Sequence, residues 1–142
     1  MNVKIVKLRE DAKLPVYSSE EAAGADLYAC ESLTIQPHET KVVHHGIAME
    51  LPKGTVGLLF ARSGLALKSD LAPANKVGVI DSDYRGELMT ALHNHGTQVR
   101  TVNPGDRVAQ LVIVPVLHAE FEQAESLSDT GRGAGGYGST GK

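Results

Sequence analysis

Two aspartates and a tyrosine fall within one turn of chain at Asp81, Asp83 and Tyr84, in the segment GVIDSDYRGEL (78–88). A carboxylate held at the end of a strand can act as a general base toward water. A tyrosine ring beside it can pack against a sugar or a base. The same residue types also make an ordinary polar turn in which the aspartates bond their own backbone. A second group of candidates lies upstream. Asp26, in AAGADLYA (22–29), is either a turn former or a carboxylate that holds waters around a Mg²⁺ bound to phosphates; that ion keeps several waters and needs only one or two carboxylates. Arg62 precedes Ser63-Gly64 and the amphipathic stretch LALKS. Ser63 reads as the N-cap of a short helix, which would place a hydroxyl, free backbone N–H groups and a guanidinium at one helix start. Gln110 is polar inside an apolar run, so it either satisfies backbone groups or faces a ligand.

The C-terminal stretch adds a third group. Gly131 to Gly141 reads GRGAGGYGSTG, with six glycines among eleven positions. Glycine loses more backbone freedom on ordering than any other residue, so this segment holds no shape of its own. Arg132, Tyr137, Ser139 and Thr140 nonetheless supply a cation, a ring and two hydroxyls, which suit a flap over an anionic, ring-bearing ligand. Two phosphate-loop signatures occur here by letter, GxGxxG from Gly131 and GYGSTGK from Gly136. Both require a strand before and a helix after. The sequence has no helical continuation, so neither applies. His44, His45, His93 and His95 form no set with the spacing of a zinc site.

These groups need a scaffold. The chain has 142 residues, enough for one domain. With no Trp and 4% aromatic residues, Val, Leu, Ile and Ala must fill the core. Short apolar runs alternate with turn signals: Val3–Leu8, Leu33–Ile35, Lys41–His44, Ile47–Leu51, Val56–Phe60, Val77–Ile80, Glu87–His93, Val99–Val102 and Val108–Leu117. Gly and Pro punctuate them at Pro37, Pro52-Lys53-Gly54 and Asn103-Pro104-Gly105. That rhythm predicts an antiparallel barrel or sandwich. Residues 78–92 read as a hairpin turning at Ser82–Gly86, and Val108–Leu117 as a strand buried on both faces, in part against another subunit. A net charge of −3 argues against general nucleic-acid binding. No apolar run approaches the roughly 18 residues of a membrane span. The single Cys30 excludes an intrachain disulfide, and MNVKIVKLRED lacks the apolar region of a signal peptide, so a reducing, cytoplasmic compartment is expected.

Taken in order, AGADLYA (23–29), ARSGLA (61–66), GVIDSDYRGEL (78–88), RVAQLVI (107–113) and GRGAGGYGSTG (131–141) resemble the five motifs of the homotrimeric dUTPase family. Two positions depart from the family pattern, Ala61 where Pro is usual and Tyr137 where Phe is usual. The resemblance implies an all-β, jelly-roll subunit of the β-clip type with one short helix. It implies a β domain over 1–127 and a mobile lid over 128–142. It implies hydrolysis of dUTP to dUMP and pyrophosphate by in-line attack of water on the α-phosphate, with Mg²⁺. The activity would keep uracil out of DNA and supply dUMP for thymidylate synthesis. Active sites would be shared among three copies of the chain.

By the same resemblance Asp81 orients and deprotonates the water, and Tyr84 lies under the deoxyribose. Asn75, Gly78, Val79, Ile80 and Met89 form the uracil pocket, Asp81 also meeting the 3′-hydroxyl. Arg62, Ser63, Gly64 and Gln110 contact phosphates, and Asp26 reaches Mg²⁺ through water. Arg132 meets the γ-phosphate, Tyr137 stacks on uracil, and Gly138, Ser139 and Thr140 wrap the phosphates. Two other activities fit parts of the pattern: a dCTP deaminase-like enzyme of the same superfamily, and a nucleotide-sensing regulatory protein.

Overall fold

The computed structural model describes residues 1–136, and within them the alternating pattern becomes short strands and one helix. In chain order these are β1 (Lys4–Lys7), β2 (Val16–Tyr17), β3 (Ala25–Tyr28), β4 (Leu33–Ile35), β5 (Thr40–His44), β6 (Ile47–Glu50), β7 (Thr55–Phe60), α1 (Ser63–Ser69), β8 (Leu71–Pro73), β9 (Gly78–Ile80), β10 (Met89–Asn94), β11 (Arg100–Val102) and β12 (Arg107–Pro115). The expected all-β fold with one short helix is present. Every strand pairing is antiparallel. The largest sheet runs β2-β3-β12-β7-β9, and β5-β10-β8 lies apart from it. Pairs β1-β6 and β11-β4 complete a jelly-roll-like subunit.

Period-two burial is clearest in β7, where Thr55, Gly57 and Leu59 are buried and their neighbours only half-buried. Gly57 is small because the core closes on it. A Cβ there would lie 3.1 Å from Leu111 Cδ1 and 3.2 Å from Ile80 Cβ. Two apolar clusters fill the interior. One gathers Leu27, Ile47, Met49, Leu59, Leu88 and Leu111, and the other Ile35, Val43, Leu71, Leu92, Val102 and Val108. Aliphatic packing thus does the work that aromatic residues do elsewhere; truncating one such leucine to alanine costs about 2–5 kcal/mol.

The turn signals are where the sequence put them. Gly54 (φ +79°) and Gly105 (φ +86°) adopt left-handed backbone, and Thr55 N–H and Asp106 N–H close their turns on Pro52 O and Asn103 O.

Three expectations change. The strand read as Val108–Leu117 spans Arg107–Pro115 and is not buried on both faces throughout. Val108, Ala109 and Leu111 are buried, while Val112–Val114 are half-buried. β3 pairs only as far as Leu111, so the distal half of β12 has β7 alone beside it. The segment 78–92 is no hairpin ladder: β9 pairs with β7, and β10 pairs with β5 and β8. The helix N-cap is Arg62, in extended backbone and without a side-chain cap bond, so Ser63 is the first helical residue.

Candidate active site

The phosphate-type residues converge where three strands and the helix start meet. Register places Asp26, Gln110 and Phe60 side by side on β3, β12 and β7. The chain leaves β7 at Phe60 and delivers Arg62 straight back over that row. Arg62 Nε donates to Asp26 Oδ1 at 2.7 Å, and Arg107 Nη1 donates to Asp26 Oδ2 at 3.1 Å. Arg62 Nη1 also donates to Arg107 O at 3.3 Å. Asp26 is buried, so this two-arginine pairing is what makes a carboxylate tolerable there. Gln110 Nε2 donates to Ala61 O at 2.8 Å, which holds the chain just before Arg62. Its Oε1 faces Gly24, where a Cβ would come within 2.7 Å of that oxygen. Gln110 therefore satisfies a backbone group and also borders open space.

Asp26, Arg62, Ser63, Gly64 and Gln110 line an open cavity of about 310 Å³ together with Ser18 and Ala22–Gly24. The first intrahelical bond runs from Ala66 N–H to Arg62 O, leaving the amides of Ser63 and Gly64 without helical partners. Gly64 has nothing within 4 Å of its Cβ position. The cavity combines N–H donors, a guanidinium and an amide around one carboxylate, a set suited to a phosphate chain.

The second group sits at the other end of β7. β9 is the last strand of its sheet, so its outer edge carries main-chain donors and acceptors with no ladder partner. Because β9 and β10 join different sheets, they part and leave a cleft of about 140 Å³. Val79, Ile80, Asp81, Tyr84, Glu87 and Met89 line it. Gly78, buried at the start of β9, packs against β7: a Cβ there would lie 2.9 Å from Leu59 Cβ and 3.6 Å from Asn75 Nδ2. Asn75 thus stands next to Gly78 without lining the cleft. Tyr84 N–H donates to Asp81 O at 3.1 Å, closing the turn that presents both residues.

The two groups do not meet within one chain. Gly57 faces Ile80 across β7, whereas Phe60 faces Gln110. At about 3.3 Å per residue and 4.8 Å per strand, the backbones of Asp81 and Gln110 stand about 16 Å apart. Within one chain, Asp81 and the Asp26–Arg62–Gln110 set are therefore held at separate places.

Arg132 lies in a turn of its own, Nε donating to Gly135 O at 2.9 Å, beyond the exposed segment that follows β12. Tyr137, Gly138, Ser139 and Thr140 lie outside the described residues. Two residues of the site carried no local signal. Arg107 shares Asp26 from 81 positions away. Glu87 sits in a motif whose obvious chemistry is at Asp81 and Tyr84.

The sequence matches the dUTPase family profile over residues 10–141. The chain belongs to the dUTPase family. A deoxyuridine 5′-triphosphate nucleotidohydrolase from Desulfitobacterium hafniense is 51% identical over 146 aligned positions, covering 99% of this chain and 97% of the relative. The enzyme of that name from Nautilia profundicola is 46% identical over the full length of both chains. Among solved structures, a dUTPase variant of Staphylococcus bacteriophage 80alpha in complex with dUpNHpp superposes with a TM-score of 0.94. It is 28% identical and covers 99% of both chains. An Asp-to-Asn variant of the phage phi11 dUTPase, which coordinates a structural Mg(II) ion, superposes at a TM-score of 0.85 with 28% identity. That match covers 91% of this chain and 100% of the phage chain.

In this dUTPase the donor set around Asp26 fits a metal borne by substrate better than one caged by protein. Among the described residues no group of three or more His, Cys, Asp or Glu could hold a metal. Each Asp26 oxygen accepts one arginine N–H and keeps a second lone-pair direction for a water.

Proposed function

We propose that this dUTPase hydrolyses dUTP to dUMP and pyrophosphate at sites shared among three copies of the chain. The separation of Asp81 from the Asp26–Arg62–Gln110 cradle is the observation that carries the shared site. A cleft with the base but without the Asp26–Arg62–Gln110 set, and a cradle with that set but no base, complete each other across a subunit boundary. The lid of residues 128–142 comes from a further copy, with Arg132 on the γ-phosphate, Tyr137 over uracil and Gly138–Thr140 around the phosphates.

Uracil enters the cleft and pairs with the free edge of β9 along Gly78, Val79 and Ile80, between Asn75 and Met89. The cleft is too narrow for the 5-methyl of thymine. Tyr84 supports the sugar and leaves no room for a 2′-hydroxyl. Asp81 takes a proton from the attacking water. The new bond forms between that water's oxygen and the α-phosphorus, and the bond to the α–β bridging oxygen breaks. Pyrophosphate departs with the bonding electrons. Arg62, Gln110 and the Ser63 and Gly64 amides hold the phosphates in line and oppose their charge. Mg²⁺, bound to the triphosphate and reached by Asp26 through water, would add charge neutralisation and a template. The closing lid excludes bulk water.

The test is pyrophosphate release from dUTP, dTTP, dCTP and UTP with Mg²⁺. Rapid turnover of dUTP with little of the other three is expected. Equal turnover of all four would refute the proposal, and a deoxyuridine nucleotide appearing from dCTP would favour deamination.

A further inference from the structure

The loop 81–87 bears both Asp81 and Tyr84, yet no ladder joins its two arms. Beyond the Tyr84 N–H to Asp81 O turn bond, side chains order it. Arg85 Nη1 donates to Ser82 O at 2.8 Å and to Tyr84 O at 3.0 Å, bracing the loop from outside. The Tyr84 ring folds back over Gly86; a Cβ at Gly86 would lie 2.9 Å from Tyr84 Cε2. The ring ends in a hydroxyl that donates to Glu87 O at 3.0 Å. Glu87 is in turn anchored to a different part of the fold. Its Oε1 accepts Gly46 N–H at 2.9 Å and its Oε2 accepts His44 Nδ1–H at 2.8 Å, both at the corner between β5 and β6. The same corner grips the next residue, His45 N–H donating to Leu88 O at 3.1 Å and Leu88 N–H donating to Ile47 O at 2.8 Å. Both oxygens of the Glu87 carboxylate are thus engaged at the corner. The main-chain carbonyl of Glu87 fixes the far end of the ring through the Tyr84 hydroxyl.

We propose that Glu87 is a positioning residue for sugar selection. Through its carbonyl it fixes the Tyr84 ring, and through its carboxylate it ties that ring to Gly46 and His44. This rests on the reading of Tyr84 as the platform beneath the deoxyribose. A ring free to tilt would open space at the 2′ position, so the variant that loses the anchor should admit UTP. Base selection, which belongs to the edge of β9, should stay.

The experiment measures kcat/KM for dUTP, UTP and dTTP in Glu87→Ala, Glu87→Gln and Tyr84→Ala. Glu87→Ala should lower the dUTP/UTP ratio at least tenfold while leaving dUTP/dTTP within about threefold, and Glu87→Gln, which can still accept from Gly46 N–H, should recover most of the ratio. General loosening of the fold would instead erode both ratios together, and that result overturns the proposal. If Tyr84→Ala collapses the dUTP/UTP ratio and Glu87→Ala leaves it intact, the anchor is wrong and the platform stands. If Tyr84→Ala also leaves it intact, the platform reading itself fails. Should Glu87→Ala not fold, His44→Ala and Tyr84→Phe each remove one bond of the same chain. Their effects on the ratio should then be strongly non-additive in the double variant, and strict additivity would overturn the proposal.

Discussion

The proposed mechanism rests on Asp81, because Glu87, the other carboxylate lining the cleft, is bonded to Gly46 and His44. Asp81→Asn keeps the size and a hydrogen-bonding group but cannot take the water's proton. Turnover should fall by about 10²–10⁴-fold, the usual worth of a positioned base, while calorimetry still registers dUTP binding. Retention of most of the rate would move the base elsewhere. At this scale the sequence was most legible where chemistry is local. Asp26, Arg62, Gln110, Asp81 and Tyr84 stood out by type and motif, and the structure places each beside a cavity. Arg107 and Glu87 did not stand out, because their importance lies in partners 81 and 41 residues away that no local pattern reveals.

Between β9 and β10 the chain reverses as the Gly and Asp signals required, but the arms separate. Reversal is a local property, whereas pairing depends on which edges compete for a strand. β7 took β9, and β5 with β8 took β10. Strands β2, β3 and β8 are not among the apolar runs the sequence singled out: β2 has only two residues, and Asp26 in β3 and Pro73 in β8 interrupt the apolar pattern. The opening between the arms depends on Gly78 lying close against β7. Gly78→Ala puts a Cβ 2.9 Å from Leu59 Cβ, closer than such atoms approach, so β9 must shift outward into the cleft. The expected outcome is a KM for dUTP raised about tenfold or more with a smaller change in kcat, since ground-state and transition-state contacts to the base are lost together. An unchanged KM would show that the edge of β9 does not read the base.

Two properties belong to the molecule as a whole. His45 is buried between sheets, its Nδ1–H donating to Tyr28 O at 2.8 Å and its Nε2 accepting from Thr90 Oγ1 at 2.8 Å. Burial holds its pKa below the ordinary 6.5, more than the Tyr28 carbonyl raises it. The native ring therefore stays neutral where the unfolded ring gains a proton. Stability is full above about pH 6.5 and falls as pH drops from there toward the native pKa, because the unfolded state binds the extra proton. Thermal melts of the wild type should show that slope, and His45→Gln should lose it; an unchanged slope would assign it to other groups. The second concerns the proposed lid. All strands among the described residues end by Pro115, so cutting the chain after Ser128 removes no strand or core residue. Melting and sedimentation of the truncated chain should match the full chain, with dUTP turnover reduced at least 100-fold. Normal turnover would make residues 129–142 dispensable. The parting of β9 from β10 has one more consequence, for how base preference can change over generations. A letter read by main-chain groups is spelled by the strand's register, not by any side chain. Single substitutions along Gly78–Ile80 would blunt recognition without redirecting it toward cytosine. On the proposed reading a change of preference would need an inserted or deleted residue that slides β9 along β7, and fidelity to uracil would then resist point mutation.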